Sequence, residues 1–389
     1  MVDLTRVLAG PLCTMWLGDM GADVIKVERP FSGDDTRAWG PPFAGAEAAY
    51  YLGVNRNKRS LTLDLGQERG REVLTELIRG ADVVLDNFKI GTLDRWGLTD
   101  DWYEAEAPAA VRATISGYGS TGPKAAMPGY DFILQAETGL MAITGEPEGE
   151  SMKLGVAIVD VCTGMLAAMT VLAALAARRR TGKGQRIEMS LHDTGLQMLA
   201  NVAANHLVSG AEAVRYGNGH PNIVPYRTYP ASDGELAVTV GNDAQFARFA
   251  RVMGCEEWAS DDRFTRNADR VANRDLLDGL IRDRMVTRTR AEWSADLEAE
   301  GIPCGPINSV AEALASRQTM ARGMVTTVEH PTAGELALTG VPFKMFGTPA
   351  AIRRPPPTLG QHSREVLAEM GLDAAAISEL VAAGVTTLG

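Results

Sequence analysis

The sequence predicts an α/β protein whose large domain is a doubly wound parallel sheet, joined to a smaller α+β domain. The first observation is that short apolar segments, typical of buried strands, alternate with helical segments in the first part of the chain. The second is that 389 residues with 45% hydrophobic content are enough for two buried cores. The third is a change near residue 210 to charged, amphipathic segments.

The predicted elements of the large domain follow from local periodicity. Segment 67–79 places four apolar side chains on one helical face, and 31–50 and 117–129 are Gly- and Pro-rich. Long loops of that kind are more often functional than not. The four apolar residues are Val73, Leu74, Leu77 and Ile78; the predicted strands are 22–28, 60–65, 81–85, 111–115 and 185–189, and the other predicted helices are 12–20 and 193–208.

One carboxylate stands at the start of the longest apolar segment. We predict a short buried strand at 156–159 that delivers Asp160 to a helix, which ends at the basic residues 178–180 and a glycine at 182 or 184. Free backbone N–H groups at the helix start would hold the carboxylate ionised. Taken alone, such an aspartate is most often a helix cap. The apolar run fits a buried helix better than a membrane span of about twenty apolar residues.

The second domain is predicted to follow a turn-rich connector, 217–226. Its predicted core positions are Trp258, Phe264, Leu276, Leu277, Ile281 and Trp293. The predicted boundaries are 1–200 for the first part of the large domain, 201–230 for a linker, 231–324 for the small domain and 325–389 for the return to the large domain. The last part carries paired short strands at 326–329 and 335–338, a Pro-rich tether at 353–357 and two terminal helices.

Composition excludes several classes of function. A net charge of −11 argues against nucleic-acid binding and against a polybasic membrane binder, so neither a nucleic acid nor a membrane is a predicted partner. The four cysteines are scattered and the five histidines form no ligand pair, so no metal site is predicted. No Gly-x-Gly-x-x-Gly follows a predicted strand, which argues against NAD. No secretory signal pattern is recognised, and the cytoplasm is the expected location.

Eight motifs occur in the order found in family III CoA-transferases. They are 6–11 (RVLAGP), 21–30 (GADVIKVERP), 55–60 (NRNKRS), 86–91 (DNFKIG), 129–131 (GYD), the segment around Asp160, 181–185 (TGKGQ) and 359–362 (LGQH). The chain therefore resembles this family, which includes formyl-CoA transferase and carnitine CoA-transferase, over almost its whole length. Four further segments are similar to the succinate–hydroxymethylglutarate (glutarate) branch, which moves CoA between dicarboxylic acids: 33–42 (GDDTRAWGPP), 222–226 (NIVPY), 305–308 (GPIN) and 354–362 (RPPPTLGQH).

The resemblance implies a Rossmann-like, CoA-binding large domain and an interlocked, ring-like homodimer. It also implies that Asp160 is a catalytic nucleophile, that an acyl-CoA such as succinyl-CoA and a free dicarboxylic acid are the substrates, and that coenzyme A is carried through an aspartyl anhydride and an aspartyl-CoA thioester. The residues implied to bind CoA are Leu8, Ala9, Arg29, Leu63, Asp64, Asn87, Phe88, Lys89, Arg95, Gly129 and Tyr130. At Leu8 and Ala9 the backbone N–H groups would stabilise the acyl oxyanion.

The chain also departs from the family pattern. It begins inside the family's first strand, as though about ten residues preceded it. The tetraglycine loop of formyl-CoA transferase has no counterpart, and Gly217, Gly219 and His220 are the nearest candidates for a substrate loop. The main alternative is an α-methylacyl-CoA racemase, but Tyr130 stands where that enzyme has a histidine base. A non-catalytic CoA-binding protein is the third interpretation of the sequence.

Overall fold

The computed structural model describes residues 1–389, which divide into two compact units. The first comprises 1–140, 153–207 and 317–389, and the second 141–152 and 208–316. The strands are β1 Val2–Asp3, β2 Val24–Glu28, β3 Phe43–Ala44, β4 Glu47–Ala48, β5 Lys58–Thr62, β6 Val83–Asp86, β7 Val111–Ser116, β8 Arg186–Ser190, β9 Tyr226–Ala231, β10 Gly234–Thr239, β11 Cys304–Pro306, β12 Val325–His330 and β13 Gly334–Thr339.

Seventeen α-helices and two 3-10 helices, Asp35–Ala38 and Glu256–Ser260, complete the chain. The α-helices are α1 Ala9–Asp19, α2 Ala49–Leu52, α3 Glu68–Arg79, α4 Thr92–Arg95, α5 Asp100–Glu106, α6 Asp131–Glu137, α7 Ile158–Thr181, α8 Leu191–Met198, α9 Ala200–Ser209, α10 Asp243–Val252, α11 Asn267–Ala272, α12 Arg274–Met285, α13 Arg290–Ala299, α14 Val310–Ala315, α15 Arg317–Ala321, α16 Ser363–Glu369 and α17 Ala374–Ala382.

The first unit is built on a six-stranded sheet in the order β5-β2-β1-β6-β7-β8, in which every pair is parallel. Read in chain order, this is the 3-2-1-4-5-6 arrangement of doubly wound folds. The order reverses between β1 and β6, so the loops that follow these two strands diverge and leave a crevice. The predicted α/β class and parallel sheet are confirmed.

Helices cover both faces of this sheet. On one face α3, α16 and α17 pack against β1, β2 and β5, and on the other α1 and α7 pack against β6 and β7. Neighbouring residues of β6 point to opposite faces, since Val84 joins the first core and Leu85 the second. By length and composition alone α7 could cross a membrane, but its inner face packs on α1 and the sheet, and core helices pass the same test.

The second unit has its own core. Its antiparallel three-stranded sheet, β11-β10-β9, packs with helices α10, α12 and α13. Five of the six predicted core residues are buried. The prediction for Leu276 is wrong, since this residue is 43% exposed because the helix turns it away from Leu277 and Ile281.

Most predicted elements of the first unit are confirmed, including strands β2, β5, β6, β7 and β8, the helix at 67–79, the β12–β13 pair and the two terminal helices. The single predicted helix at 193–208 is wrong. The structure has α8 and α9 instead, and the backbone breaks at Ala200, where φ is 45°. The C-terminal cap of α7 follows the prediction, because Gly182 has φ 71° and its N–H donates to Arg178 O at 2.8 Å.

Candidate active site

A cavity of about 590 Å³ lies at the reversal point of the sheet. Its walls include residues 6–9, which follow β1, and residues 87–90, which follow β6. The loop 125–130 closes a third side, and Asp160 faces the interior. Open α/β sheets bind ligands outside the carboxyl ends of their strands at this point, so the fold itself indicates a binding site here.

Asp160 enters the cavity from the first turn of α7. The predicted strand at 156–159 is wrong: Val156 is 57% exposed, and the helix already begins at Ile158. The reason lies elsewhere in the chain, because Asp131 accepts hydrogen bonds from Val159 N at 2.8 Å and from Asp160 N at 3.3 Å. A carboxylate from α6 thus caps α7 in place of a residue of its own segment.

This cap changes the electrostatics of Asp160. The expectation that free N–H groups would hold it ionised is wrong, since its own N–H is taken by Asp131. Burial, followed by the negative charge of Asp131, raises the pKa of Asp160 to about 7. The Asp160 carboxyl therefore changes charge near neutral pH, and a carboxyl with a strongly raised pKa in a cleft is characteristic of functional sites.

Close backbone packing places the first turn of α7 against the start of α1. A Cβ built on Gly164, one turn after Asp160, would lie 2.6 Å from Ala9 O. Only glycine therefore lets α7 approach Ala9 this closely. Leu8, the residue before α1, and Val161 also pack against one small cluster, which keeps residues 8 and 9 beside the Asp160 turn.

The N-terminus of α1 offers unused hydrogen-bond donors to the cavity. No side chain caps it, and the backbone N–H groups of Leu8 and Ala9 have no acceptor in the protein. The positive end of the helix dipole lies at the same place. Such a terminus suits an anion or a developing oxyanion.

A second glycine contact shapes the cavity wall formed by the loop 125–130. Gly129 lies against Gly117, the residue after β7, and a Cβ on either one would come within 2.6 Å of the other's Cα. The next residue, Tyr130, immediately precedes α6, is 63% exposed and lines the cavity. Gly129 is therefore required for close backbone approach as well as for lining the cavity.

Positive charge lies at the mouth of the cavity. Lys89 and Arg95 are exposed and have no carboxylate partner, and Arg95 bonds only to Thr92 Oγ1, at 2.9 Å. Phe88 lines the wall with its ring edge-on to Trp96, the centroids 5.4 Å apart. An apolar wall beside unpaired cations suits a ligand with an aromatic base and phosphates.

Comparison with known proteins agrees with this geometry. The family model of CoA-transferase family III matches residues 1–363. The chain belongs to this family. It is 41% identical to the succinyl-CoA:glutarate CoA-transferase of Mus musculus, with 99% of this chain and 88% of that protein covered. It is 42% identical to the succinate–glutarate CoA-transferase of Agrobacterium fabrum, with 95% of this chain and 94% of that protein covered.

Structural comparison gives the same answer. A crystal structure of a CAIB/BAIF family protein from Brucella suis superposes with a TM-score of 0.83 at 43% identity, covering 95% of this chain and 97% of that one. The resemblance drawn from the motifs is therefore confirmed, and the protein is a family III CoA-transferase.

Nine of the residues implied by the motifs line the cavity of this CoA-transferase: Leu8, Ala9, Asn87, Phe88, Lys89, Arg95, Gly129, Tyr130 and Asp160. Arg29 lies outside the cavity and pairs with Asp35, which lines it. Leu63 is buried in the core, and Asp64 accepts hydrogen bonds from Gly66 N and Gln67 Nε2. Contact of these three residues with CoA stays a prediction.

The predicted substrate loop lies in the second unit. Gly217 N donates to Gly145 O at 3.1 Å, and His220 Nδ1 accepts from Asn222 N at 3.0 Å. Burial and then Arg274 lower the pKa of His220, whose ring lies 5.1 Å from that of Tyr226. The role of Gly217, Gly219 and His220 in substrate binding stays a prediction.

Sequence reasoning did not assign three residues that the structure brings to the site. Asp131 caps α7, and Arg6 pairs with Asp35 at 3.1 Å in the cavity wall. Burial and then the negative charge of Asp160 raise the pKa of Tyr50 to about 12. The signals in the sequence were the place of Asp131 in the 129–131 motif, of Arg6 at the start of the 6–11 motif and of Tyr50 at the end of a long loop.

Proposed function

We propose that this CoA-transferase moves CoA from succinyl-CoA to glutarate or a similar dicarboxylate such as hydroxymethylglutarate, with Asp160 as a covalent carrier. Two relatives with about 41% identity carry the glutarate name. The observation that carries the mechanism is the position of Asp160: it lines the same cavity as the free N–H donors of Leu8 and Ala9 and the unpaired cations Lys89 and Arg95. A carboxylate nucleophile keeps each intermediate close in energy to a thioester and replaces one difficult exchange by easier steps.

The first half of the exchange forms the carrier. An oxygen of ionised Asp160 attacks the thioester carbon of succinyl-CoA, the C–S bond breaks, and CoA leaves as a thiolate from a mixed anhydride. The thiolate then attacks the aspartyl carbonyl, the aspartyl C–O bond breaks, and succinate leaves with the bridging oxygen that came from Asp160. In the second half, a glutarate carboxylate attacks the aspartyl-CoA thioester and the C–S bond breaks, which gives an aspartyl–glutaryl anhydride. The thiolate then attacks the glutaryl carbonyl, and the glutaryl C–O bond breaks to release glutaryl-CoA and regenerate the Asp160 carboxylate.

The residues around Asp160 support each requirement of this sequence. The free N–H groups of Leu8 and Ala9 would bind the oxygen that becomes negative in each tetrahedral intermediate. Lys89 and Arg95 would hold CoA phosphates and so keep the thiolate in place between steps. Partial burial of Asp160 limits hydrolysis of the anhydride.

A substrate panel tests the proposed specificity. Succinyl-, acetyl- and glutaryl-CoA are each mixed with free succinate, glutarate or hydroxymethylglutarate, and the CoA products are identified by mass. The proposal predicts the highest kcat/KM for the succinyl-CoA and glutarate pair, with ping-pong kinetics. A preference for a monocarboxylate, or racemisation of a 2-methylacyl-CoA without exchange, contradicts it.

We also propose that the enzyme is an interlocked homodimer. An apolar stripe runs along the outer side of α7, where Met165, Met169 and Leu172 are 44%, 59% and 44% exposed. Contiguous exposed apolar surface of this kind marks protein interfaces. Light scattering at low protein concentration measures the oligomeric state, and a stable, active monomer contradicts the proposal.

A further inference from the structure

The segment 4–8, called the strap below, joins β1 to α1 and leads into the free N–H groups of Leu8 and Ala9. Val7, in this strap, has φ 73°, a conformation that is a marked outlier for a β-branched residue. Such strain persists only where the surroundings over-determine the backbone, and it clusters at functional sites. The strap therefore needs strong external contacts.

Side chains from four other positions supply those contacts. Thr5 N donates to Asp3 Oδ1 at 2.9 Å, and Thr5 O accepts from Lys26 Nζ at 2.8 Å. Asn87 bonds to both Arg6 N and Arg6 O, at 3.0 and 2.8 Å, and Val7 N donates to Asp34 Oδ1 at 3.3 Å. Every backbone polar group from Thr5 N to Val7 N is thus held by a side chain.

Two of these side chains form one buried ion pair. Lys26 Nζ lies 2.9 Å from Asp34 Oδ2, and both side chains are fully buried. The other Asp34 oxygen also accepts from Thr36 N and Thr36 Oγ1, and Asp34 N donates to Glu28 Oε1, which fixes the carboxylate from several sides. A buried pair with this many hydrogen bonds is rigid, and apolar residues of the same volume would serve stability equally well.

We infer that the Lys26–Asp34 pair positions the Leu8 and Ala9 N–H groups for the transfer reaction, by fixing the strap on both sides of Arg6. Neither Lys26 nor Asp34 lines the cavity, and the pair acts through the backbone of Thr5 and of Val7, which does. The inference rests on the proposed role of those N–H groups. Displacement of a reacting group by about 1 Å costs about 100-fold in rate, which sets the expected effect.

A matched pair at the other end of α1 provides the control. Arg56 bonds to both oxygens of Asp19, at 2.9 and 2.6 Å, and both side chains are as buried as Lys26 and Asp34. Asp19 belongs to α1 but lies at its last residue, away from the strap. Asp19→Asn and Asp34→Asn therefore remove equivalent buried charges at opposite ends of one helix.

The test measures kcat, the KM for succinyl-CoA and the dissociation constant of CoA for both variants. Both are expected to lower the unfolding midpoint, but only Asp34→Asn should lower kcat, by about 100-fold, with CoA affinity unchanged. A second variant, Lys26→Met with Asp34→Leu, leaves no unpaired buried charge but removes the partners of Thr5 O and Val7 N; it should recover part of the midpoint lost in Asp34→Asn but not kcat.

Three results overturn the inference: equal kcat in the two single variants, an equal loss of kcat and CoA affinity in Asp34→Asn, or recovery of kcat in the double variant. These comparisons hold whichever intermediate forms. Trapping of an acyl group on Asp160 of the unmodified enzyme decides the proposed mechanism separately, so the two failures are distinguishable.

Discussion

Replacing Asp160 by asparagine is expected to remove nearly all CoA transfer and at the same time to stabilise the folded chain above neutral pH. In the structure, burial and the Asp131 charge raise the pKa of Asp160 from its ordinary 3.8 to about 7. The folded state therefore favours the protonated form, and ionisation costs folding free energy. This penalty is absent below about pH 4, grows as the pH rises, and is complete above about pH 7.

The size of the effect follows from that difference in pKa. At 1.36 kcal/mol per pKa unit, the full penalty is about 4 kcal/mol. Asparagine is neutral at every pH and keeps the shape of the side chain, so the variant should gain about 2 kcal/mol at pH 5 and about 4 kcal/mol at pH 8. Urea unfolding of both proteins across this pH range measures the gain.

A second aspartate, Asp34, provides the control because its pKa is shifted in the opposite direction. Lys26 is the chief cause that holds the pKa of Asp34 down, against burial, at about 2. Its ionised form therefore stabilises the fold above about pH 4, and Asp34→Asn should lose at least about 2 kcal/mol at pH 8. The reasoning is refuted if Asp160→Asn is no more stable than the unmodified protein at pH 8, or if its gain does not change with pH.

Three further predictions concern the same cavity. First, kcat/KM should rise with pH through about 7, because Asp160 must be ionised to attack, and Asp131→Asn should move this rise to lower pH; an unmoved profile contradicts the electrostatic argument. Second, Gly164→Ala should lower kcat and destabilise the fold by about 1–3 kcal/mol, because its methyl group meets Ala9 O. Gly155→Ala, where a Cβ meets nothing within 4 Å, is the matched control for unfolding and activity. Third, Lys89→Ala with Arg95→Ala should raise the KM for succinyl-CoA and reduce its salt dependence, with kcat nearly unchanged; an unchanged KM contradicts phosphate binding at these residues.

Regular patterns in the sequence predicted the sheet and its helices well. The buried face of α3 and the Gly182 cap of α7 depend on residues within one or two turns, so local reasoning reaches them. The start of α7 could not be predicted in this way. Its cap, Asp131, stands 28 residues before Val159, and only the folded backbone brings them together.

The site shows the same division. Nine of the twelve residues implied by the motifs line the cavity, and those that follow parallel strands meet at one edge of the sheet. The electrostatic effect of Asp160 on Tyr50 and the side chains that hold the strap have no local signal. Lys26 lies in a strand whose three valine and isoleucine residues predict burial but give Lys26 no partner, and its partner Asp34 lies in a loop.

The central claim is that Asp160 carries the acyl group, and chemical trapping tests it most directly. The enzyme is incubated with succinyl-CoA and hydroxylamine without an acceptor acid, digested, and mapped by mass spectrometry, with Asp160→Ala treated in parallel. A hydroxamate on the peptide that contains Asp160, absent from the variant, is the predicted result. A hydroxamate on another residue, or full transfer activity in Asp160→Ala, contradicts the mechanism.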